Sequence, residues 1–239
     1  MELAKNCVDV GLFTNRLDEM RGFYGERLKL PFEEMLPLGG GARQYRYGLL
    51  GSVLKINHSR EPAPERPAVG YRRLIIADRR IPIPMELTDP EGNAVRLVPN
   101  GQGGIEQIGI ELAVTNEADF HRFYGEGLGA EQTGERSYRL GQTLLSFTHD
   151  PKVRRAERST SGDPAQVMMS IQAPGFRYMT IQVRNVDAEH ARLVGMGFWE
   201  GSAPRTLGEI ARISFIRDPD GNFIEISQRA SLTGALPKD

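Results

Sequence analysis

A single cysteine, Cys7, is all the thiol chemistry the 239 residues offer. That excludes an intramolecular disulfide and a multi-cysteine zinc site, and it suits a reducing compartment, so cytoplasm is the expected location. Surplus charge is also missing. With 30 basic and 31 acidic residues the formal net charge is −1, and no global field favours nucleic acid or an anionic membrane. No apolar run approaches the roughly 18 residues a membrane span needs, and Met1 to Asn6 carry no secretory signal core, so neither nucleic acid nor a membrane is an expected partner. Phosphate-cradling glycine loops, serine nucleophile elbows and zinc-protease motifs are absent, and Gly39-Gly40-Gly41 reads as a turn. Only four histidines occur, His58, His121, His149 and His190, and no two have metal-ligand spacing. The lone Trp199, beside Phe198, reads as core. What remains is a chain 39% hydrophobic and 26% charged, able to bury a core without staples.

What is present is repetition. Phe23-Tyr24-Gly25-Glu26-Arg27-Leu28 returns as Phe123-Tyr124-Gly125-Glu126-Gly127-Leu128. Each follows a strand-like apolar run, Val8 to Phe13 or Ile108 to Val114, and closes a helical stretch that an asparagine, Asn15 or Asn116, is placed to cap. Asp89-Pro90-Glu91-Gly92-Asn93 returns as Asp218-Pro219-Asp220-Gly221-Asn222, in both cases a hairpin turn between alternating runs. Alternation puts Ala94, Arg96 and Val98 on one face of the earlier copy and Phe223, Glu225 and Ser227 on the same face of the later one. A third echo pairs the run from Gly70 to Ile76 with that from Gly175 to Ile181.

Four units follow, over about 6–59, 69–99, 105–150 and 174–229. The second is shortened, because prolines between Asp78 and Pro84 leave no room for a helix. Gly101 to Gly104 reads as the divider between an N-terminal module pair, 1–100, and a C-terminal pair, 105–229, with 230–239 as an unstructured tail. The 150–174 stretch reads as a solvated linker, with a mobile crossover or lid as the alternative.

A strand, a helix ending in Phe-Tyr, then strands closing through Asp-Pro-Asp-Gly-Asn into Phe223-Ile224-Glu225-Ile226, resembles the vicinal oxygen chelate superfamily of glyoxalases, bleomycin-resistance proteins and extradiol dioxygenases. The resemblance extends to about residue 229. It implies an α+β fold of tandem βαβββ modules forming two curved-sheet half-barrel domains. It also implies a cleft in which first and last strands of each unit supply ligands for a divalent metal, with open positions for substrate oxygens.

Histidine, the usual ligand type there, is missing. The slots of the first pair hold Asp9, Lys55, Arg73 and Arg96, whose three cations repel a metal; that face reads as a salt-bridged set, or as an anion site built on Arg73 and Arg96. The second pair holds Tyr178, Ser146 and Glu225, while the opening-strand slot of unit three falls on Gly109 or Gln107, with Glu111 on the same face. The resemblance thus points to Glu225, Tyr178 and Gln107 as catalytic residues, Glu225 serving as metal ligand or general base and Tyr178 as proton donor. Gln107 and Glu225 are the candidate metal ligands, for Mn, Fe, Mg or Zn; the alternative is no metal at all. Tyr138, Ser146, Phe223 and Glu111 are the expected substrate-binding residues, and Tyr45, Tyr47 and Tyr138 an expected aromatic lining. The implied activity is lyase, isomerase or dioxygenase-like chemistry on an apolar or aromatic small molecule, as in aromatic compound catabolism. Its rival is a non-catalytic sequestering protein of the bleomycin-resistance type. A homodimer is compatible with paired modules.

Overall fold

The computed structural model describes residues 1–66, 70–153 and 169–237. Two mixed sheets account for nearly all of the strands. The first runs β13(Trp199–Leu207), β14(Ala211–Arg217), β15(Phe223–Arg229), β12(Gly175–Gln182), β1(Asp9–Phe13), β4(Ser52–Ser59), β3(Ala42–Leu49), β2(Phe32–Gly39). The second runs β6(Met85–Thr88), β7(Ala94–Val98), β5(Tyr71–Ala77), β8(Ile108–Val114), β11(Thr143–His149), β10(Ser137–Leu140), β9(Glu131–Gly134). The expected tandem-module α+β fold is therefore the one observed, and its second unit has no helix between β5 and β6.

The grouping of units differs from the expected split at residue 100. Unit one shares its sheet with unit four, through antiparallel β1 and β12, and unit two shares its sheet with unit three, through antiparallel β5 and β8. The 99–107 link joins strands of one sheet, whereas β4 and β5, and β11 and β12, are consecutive strands that belong to different sheets. Most of the 150–174 stretch lies outside the described residues.

The sheets face each other through one core. Alternation sends Val10, Leu12, Leu54, Ile56, Met179, Ile181, Ile224 and Ile226 of the first sheet and Leu74, Ile76, Val95, Leu97, Ile110, Leu112, Leu145 and Phe147 of the second into a single buried cluster. The helix Val186–Gly195, which buries Val186 and Leu193 there, completes it together with the two repeat helices: α1, Leu17–Arg21 continued as a π-helical stretch over Gly22–Arg27, and α2, Glu117–Phe120 continued likewise over His121–Gly127. The repeated Phe-Tyr pairs stand edge-on within each helix, 4.9 Å apart in α1 and 5.0 Å in α2.

Each helix is also latched to a hairpin turn. Tyr24 donates its hydroxyl to Asp89 at 2.9 Å, and Tyr124 to Asp218 at 3.0 Å. Units one and two, and three and four, thus associate through side-chain contacts such as this phenol–carboxylate bond and not through strand pairing.

Three smaller expectations also change. Asn116 caps α2 by accepting from the Asp119 amide, but Asn15 instead binds Ala63 through both ends of its amide. The chain after Arg229 is not wholly irregular, since Ala230–Thr233 forms a turn of helix. Tyr45, Tyr47 and Tyr138 point to the helix side of their sheets and pack in or against the shared core, and Tyr47 also lines a groove of about 400 Å3 beside α1. No described helix is long and apolar enough to cross a membrane.

Candidate functional site

The outward faces of the two sheets are the concave ones, and each presents four positions related by its central antiparallel pair. In the first sheet Asp9 lies opposite Thr180 and Gly11 opposite Tyr178, while parallel pairing puts Lys55 beside Gly11 and Glu225 beside Thr180. Exchanging units one and four therefore maps Asp9 onto Tyr178, Gly11 onto Thr180 and Lys55 onto Glu225. In the second sheet the same operation relates Arg73 to Gly109 and Arg96 to Ser146, which assigns the open slot of unit three to Gly109.

The first-sheet face is a buried polar network. Lys55 Nζ donates to Thr180 Oγ1 at 2.7 Å and to Glu225 Oε2 at 3.1 Å, and Thr180 Oγ1 donates to the same carboxylate oxygen at 3.0 Å. Asp9 accepts from Lys5 Nζ at 2.6 Å and from the Val53 amide at 2.8 Å. Arg46 donates to Gln44 at 3.0 Å and ion-pairs with Glu34 at 3.0 Å. Burial drives the Lys55 ammonium below the ordinary lysine range, against the upward pull of Glu225 and Asp9.

Tyr178 crosses this network with its ring laid flat over β1. Gly11 makes that possible: a Cβ there would meet the Tyr178 ring at 2.1 Å. The Tyr178 hydroxyl accepts from Asn57 Nδ2 at 3.1 Å and from Gln44 Nε2 at 3.5 Å. Burial and the neighbouring Glu225 push the phenol far above its ordinary range, so it stays protonated. Its own proton has no acceptor among the described residues and can be offered to a ligand oxygen.

Beside the network stands an apolar wall of Phe13, Ile171, Ile213, Phe215 and Phe223 around the Tyr178 ring, with Phe215 and Phe223 edge to face at 5.9 Å. Arg217 stacks over Phe223 at 3.9 Å.

Of the residues singled out in the sequence, Glu225, Tyr178 and Phe223 meet here. Gln107 does not. It sits just ahead of β8, where its amide donates to Ser52 Oγ at 2.5 Å and accepts from Thr143 Oγ1 at 3.1 Å, bracing one sheet against the other. Glu111 and Ser146 lie on the concave face of the second sheet, where Glu111 pairs with Arg73 at 3.2 Å and Glu86 bridges to Arg96 at 3.1 Å. Tyr138 is turned into the core, its hydroxyl on His121 Nδ1 at 2.7 Å. The histidines serve similar local ends: His58 bonds the Thr14 carbonyl, His149 that of Thr115, and His190 the Glu200 carboxylate.

Asp9, Lys55, Thr180, Asn57 and Gln44 complete the site. Asp9 and Lys55 were visible as slot residues of unit one, but grouping units by sequence order separated them from Glu225. Nothing in a local pattern marks Thr180, Asn57 or Gln44.

These residues do not suit a divalent cation. One carboxylate is engaged by an ammonium and the other by Lys5, the phenol holds its proton, and the described residues contain no group of three His, Cys, Asp or Glu placed to hold a metal. A groove of about 610 Å3 lies elsewhere, between the end of α1 and the edge of unit two, lined by Leu30, Leu49, Ala77 and Arg80 among others.

Residues 104–226, just over half of the chain, match the family model described as the Glyoxalase/Bleomycin resistance protein/Dioxygenase superfamily. The fold is similar to that of glyoxalase I from Zea mays, with a TM-score of 0.69 and 12% identity over 93% of this chain and 92% of that one. It is also similar to a putative dioxygenase from Bacillus subtilis, with a TM-score of 0.65 and 12% identity over 96% and 85%. The cppA protein from Streptococcus pneumoniae follows at 0.54 and 11% over 95% and 98%. At such identities the likeness concerns fold alone.

Proposed function

Since this chain belongs to the glyoxalase/bleomycin resistance protein/dioxygenase superfamily, we propose that it is a small-molecule enzyme working in the concave face of its eight-stranded sheet by acid–base chemistry that needs no divalent metal. One observation carries the reading: Glu225, a proton acceptor, and Tyr178, a phenol with an unassigned proton, converge on one buried face beside an aromatic wall. A carbonyl compound with an apolar or aromatic body suits this arrangement. The wall takes the body, the Tyr178 hydroxyl polarises the oxygen, and Glu225 accepts a proton from the adjacent carbon. Isomerase or lyase chemistry follows from such a step. The rival reading, sequestration without turnover, draws on the bonds that Lys55 and Thr180 make to Glu225, which leave Glu225 less free to move a proton.

The two readings part in one experiment. A panel of aryl ketones and aldehydes is screened by thermal shift, and hits are followed by NMR in deuterated water for exchange of the hydrogens next to the carbonyl. The enzyme reading expects accelerated exchange in the wild type and binding without exchange in Glu225→Gln. Exchange unchanged in that variant removes Glu225 from the mechanism, and binding without exchange in the wild type assigns the protein to sequestration.

A further inference from the structure

We propose that the Lys55 ammonium is a resident cation, standing at the meeting point of the four related strand positions and recognising an anionic oxygen of the ligand there. The ligand class is then a carboxylate, enolate or phenolate carried on an apolar or aromatic body. This deepens the preceding reading and rests on it for the location of the site.

Three observations support it. Lys55 issues from β4 at the position that exchange of units maps onto Glu225, so the pair occupies two equivalent slots with opposite charge. Its side chain is buried and faces a mixed set of neighbours: Glu225 and Asp9 as anions, Arg46 as the other cation, and the Tyr178 ring at 5.5 Å. An ammonium has three donors, and two are taken, by Thr180 and Glu225. The third has no acceptor among the described residues. It and the spare Tyr178 proton lie on one buried face, with the ammonium 5.5 Å from the centre of the Tyr178 ring, in a setting where burial strengthens each contact. A fixed positive charge at this point repels a divalent cation and does for an oxyanion what such a cation would do, without a loading step.

Two measurements test this on the intact protein. In the first, Mn2+ and Ni2+ are titrated into the wild type, Lys55→His and Lys55→Glu, followed by calorimetry and by paramagnetic broadening of resonances around Asp9 and Glu225. The wild type is expected to show no broadening there, and removal of the ammonium should tighten metal binding at least tenfold. Broadening at Glu225 in the wild type would overturn the inference, as would folded variants that gain no affinity. The wild-type arm decides the matter should both variants fail to fold. In the second, phenylacetate is compared with phenylacetamide. The wild type should bind the acid at least tenfold more tightly, and Lys55→Met should lose that preference. Equal binding, failure of both at millimolar concentration, or a preference surviving in Lys55→Met would overturn the ligand class. Neither measurement reads turnover, so both stand apart from the proton-exchange test of Glu225.

Discussion

The concave faces of the two sheets arise from the same repeated unit and have gone opposite ways. In the eight-stranded sheet the ion pair of Lys55 and Glu225 is almost sealed, its side chains 4% and 10% exposed, and Asp9 with Lys5 keeps the charge balanced. In the seven-stranded sheet Arg73 and Glu111 are 31% and 30% exposed and share their face with Glu86 and Arg96, all within reach of water. The difference teaches where to look for chemistry. A solvated lattice of charges tolerates almost any arrangement, whereas a buried one persists only if every group is neutralised and bonded, and such a site can hold polar groups in fixed positions around a ligand.

The sharpest way to break the comparison is to remove one cation from each face. Lys55→Met leaves Glu225 buried beside an apolar side chain and should cost about 3–5 kcal/mol in urea unfolding at neutral pH. Arg73→Met should cost no more than about 1 kcal/mol, because water takes over the partial solvation of Glu111. Equal losses would erase the distinction between the faces. Glycines on the two central strands give the next contrast. Gly11→Ala must displace the Tyr178 ring and should cost about 1–3 kcal/mol, whereas the tightest contact of Gly109→Ala is the Ile105 δ-methyl at 3.1 Å, which can swing aside for less than about 1 kcal/mol. Loss of near-ultraviolet circular dichroism in the first variant and its retention in the second would report the same difference.

The tyrosine latches add a contrast that depends on pH. Burial raises Asp218 from the ordinary value of 3.8 to about 6, in spite of its bonds from Tyr124 and Asn222. A carboxyl whose folded pKa lies above its unfolded one favours folding in its protonated form, so this contribution is complete below about pH 4 and fades as pH rises through 6. Unfolding free energies measured between those values should fall with rising pH more steeply in the wild type than in Asp218→Asn. Tyr124→Phe should cost about 1 kcal/mol or somewhat more at any pH in that range.

Much of the fold was legible because the repeated Phe-Tyr helices and Asp-Pro turns carry their own local physics: positive φ at Gly92 and Gly221, and Asp side chains that accept from the turn amides. The missing helix of unit two was legible from its prolines. Which units share a sheet was harder to see, since residue identity says little about partner choice between similar strands. The glycines at 101–104 read as a boundary, but they lie in a link between two strands of one sheet. The site followed the same division. Glu225, Tyr178 and Phe223 lie on strands whose alternation gives their facing directly, but Lys55, the cation paired with Glu225, comes from a unit more than a hundred residues away. Gln107 misled because it lies one residue ahead of its strand, where alternation no longer predicts direction.

The antiparallel seam that sets Asp9 opposite Thr180 also governs the order in which the chain can mature. On a ribosome, β1 is made about 160 residues before its seam partner β12. Until then β1, β4 and their neighbours have one open edge and an incomplete core, the kind of surface on which chaperones act and nascent chains associate wrongly. The middle sheet suffers no such wait, because β5 to β11 are contiguous in the chain and can close first. Growth outward from the seven-stranded sheet, with β1 and β12 joining afterwards, follows from that seam, and the face proposed for chemistry is then assembled after the other sheet.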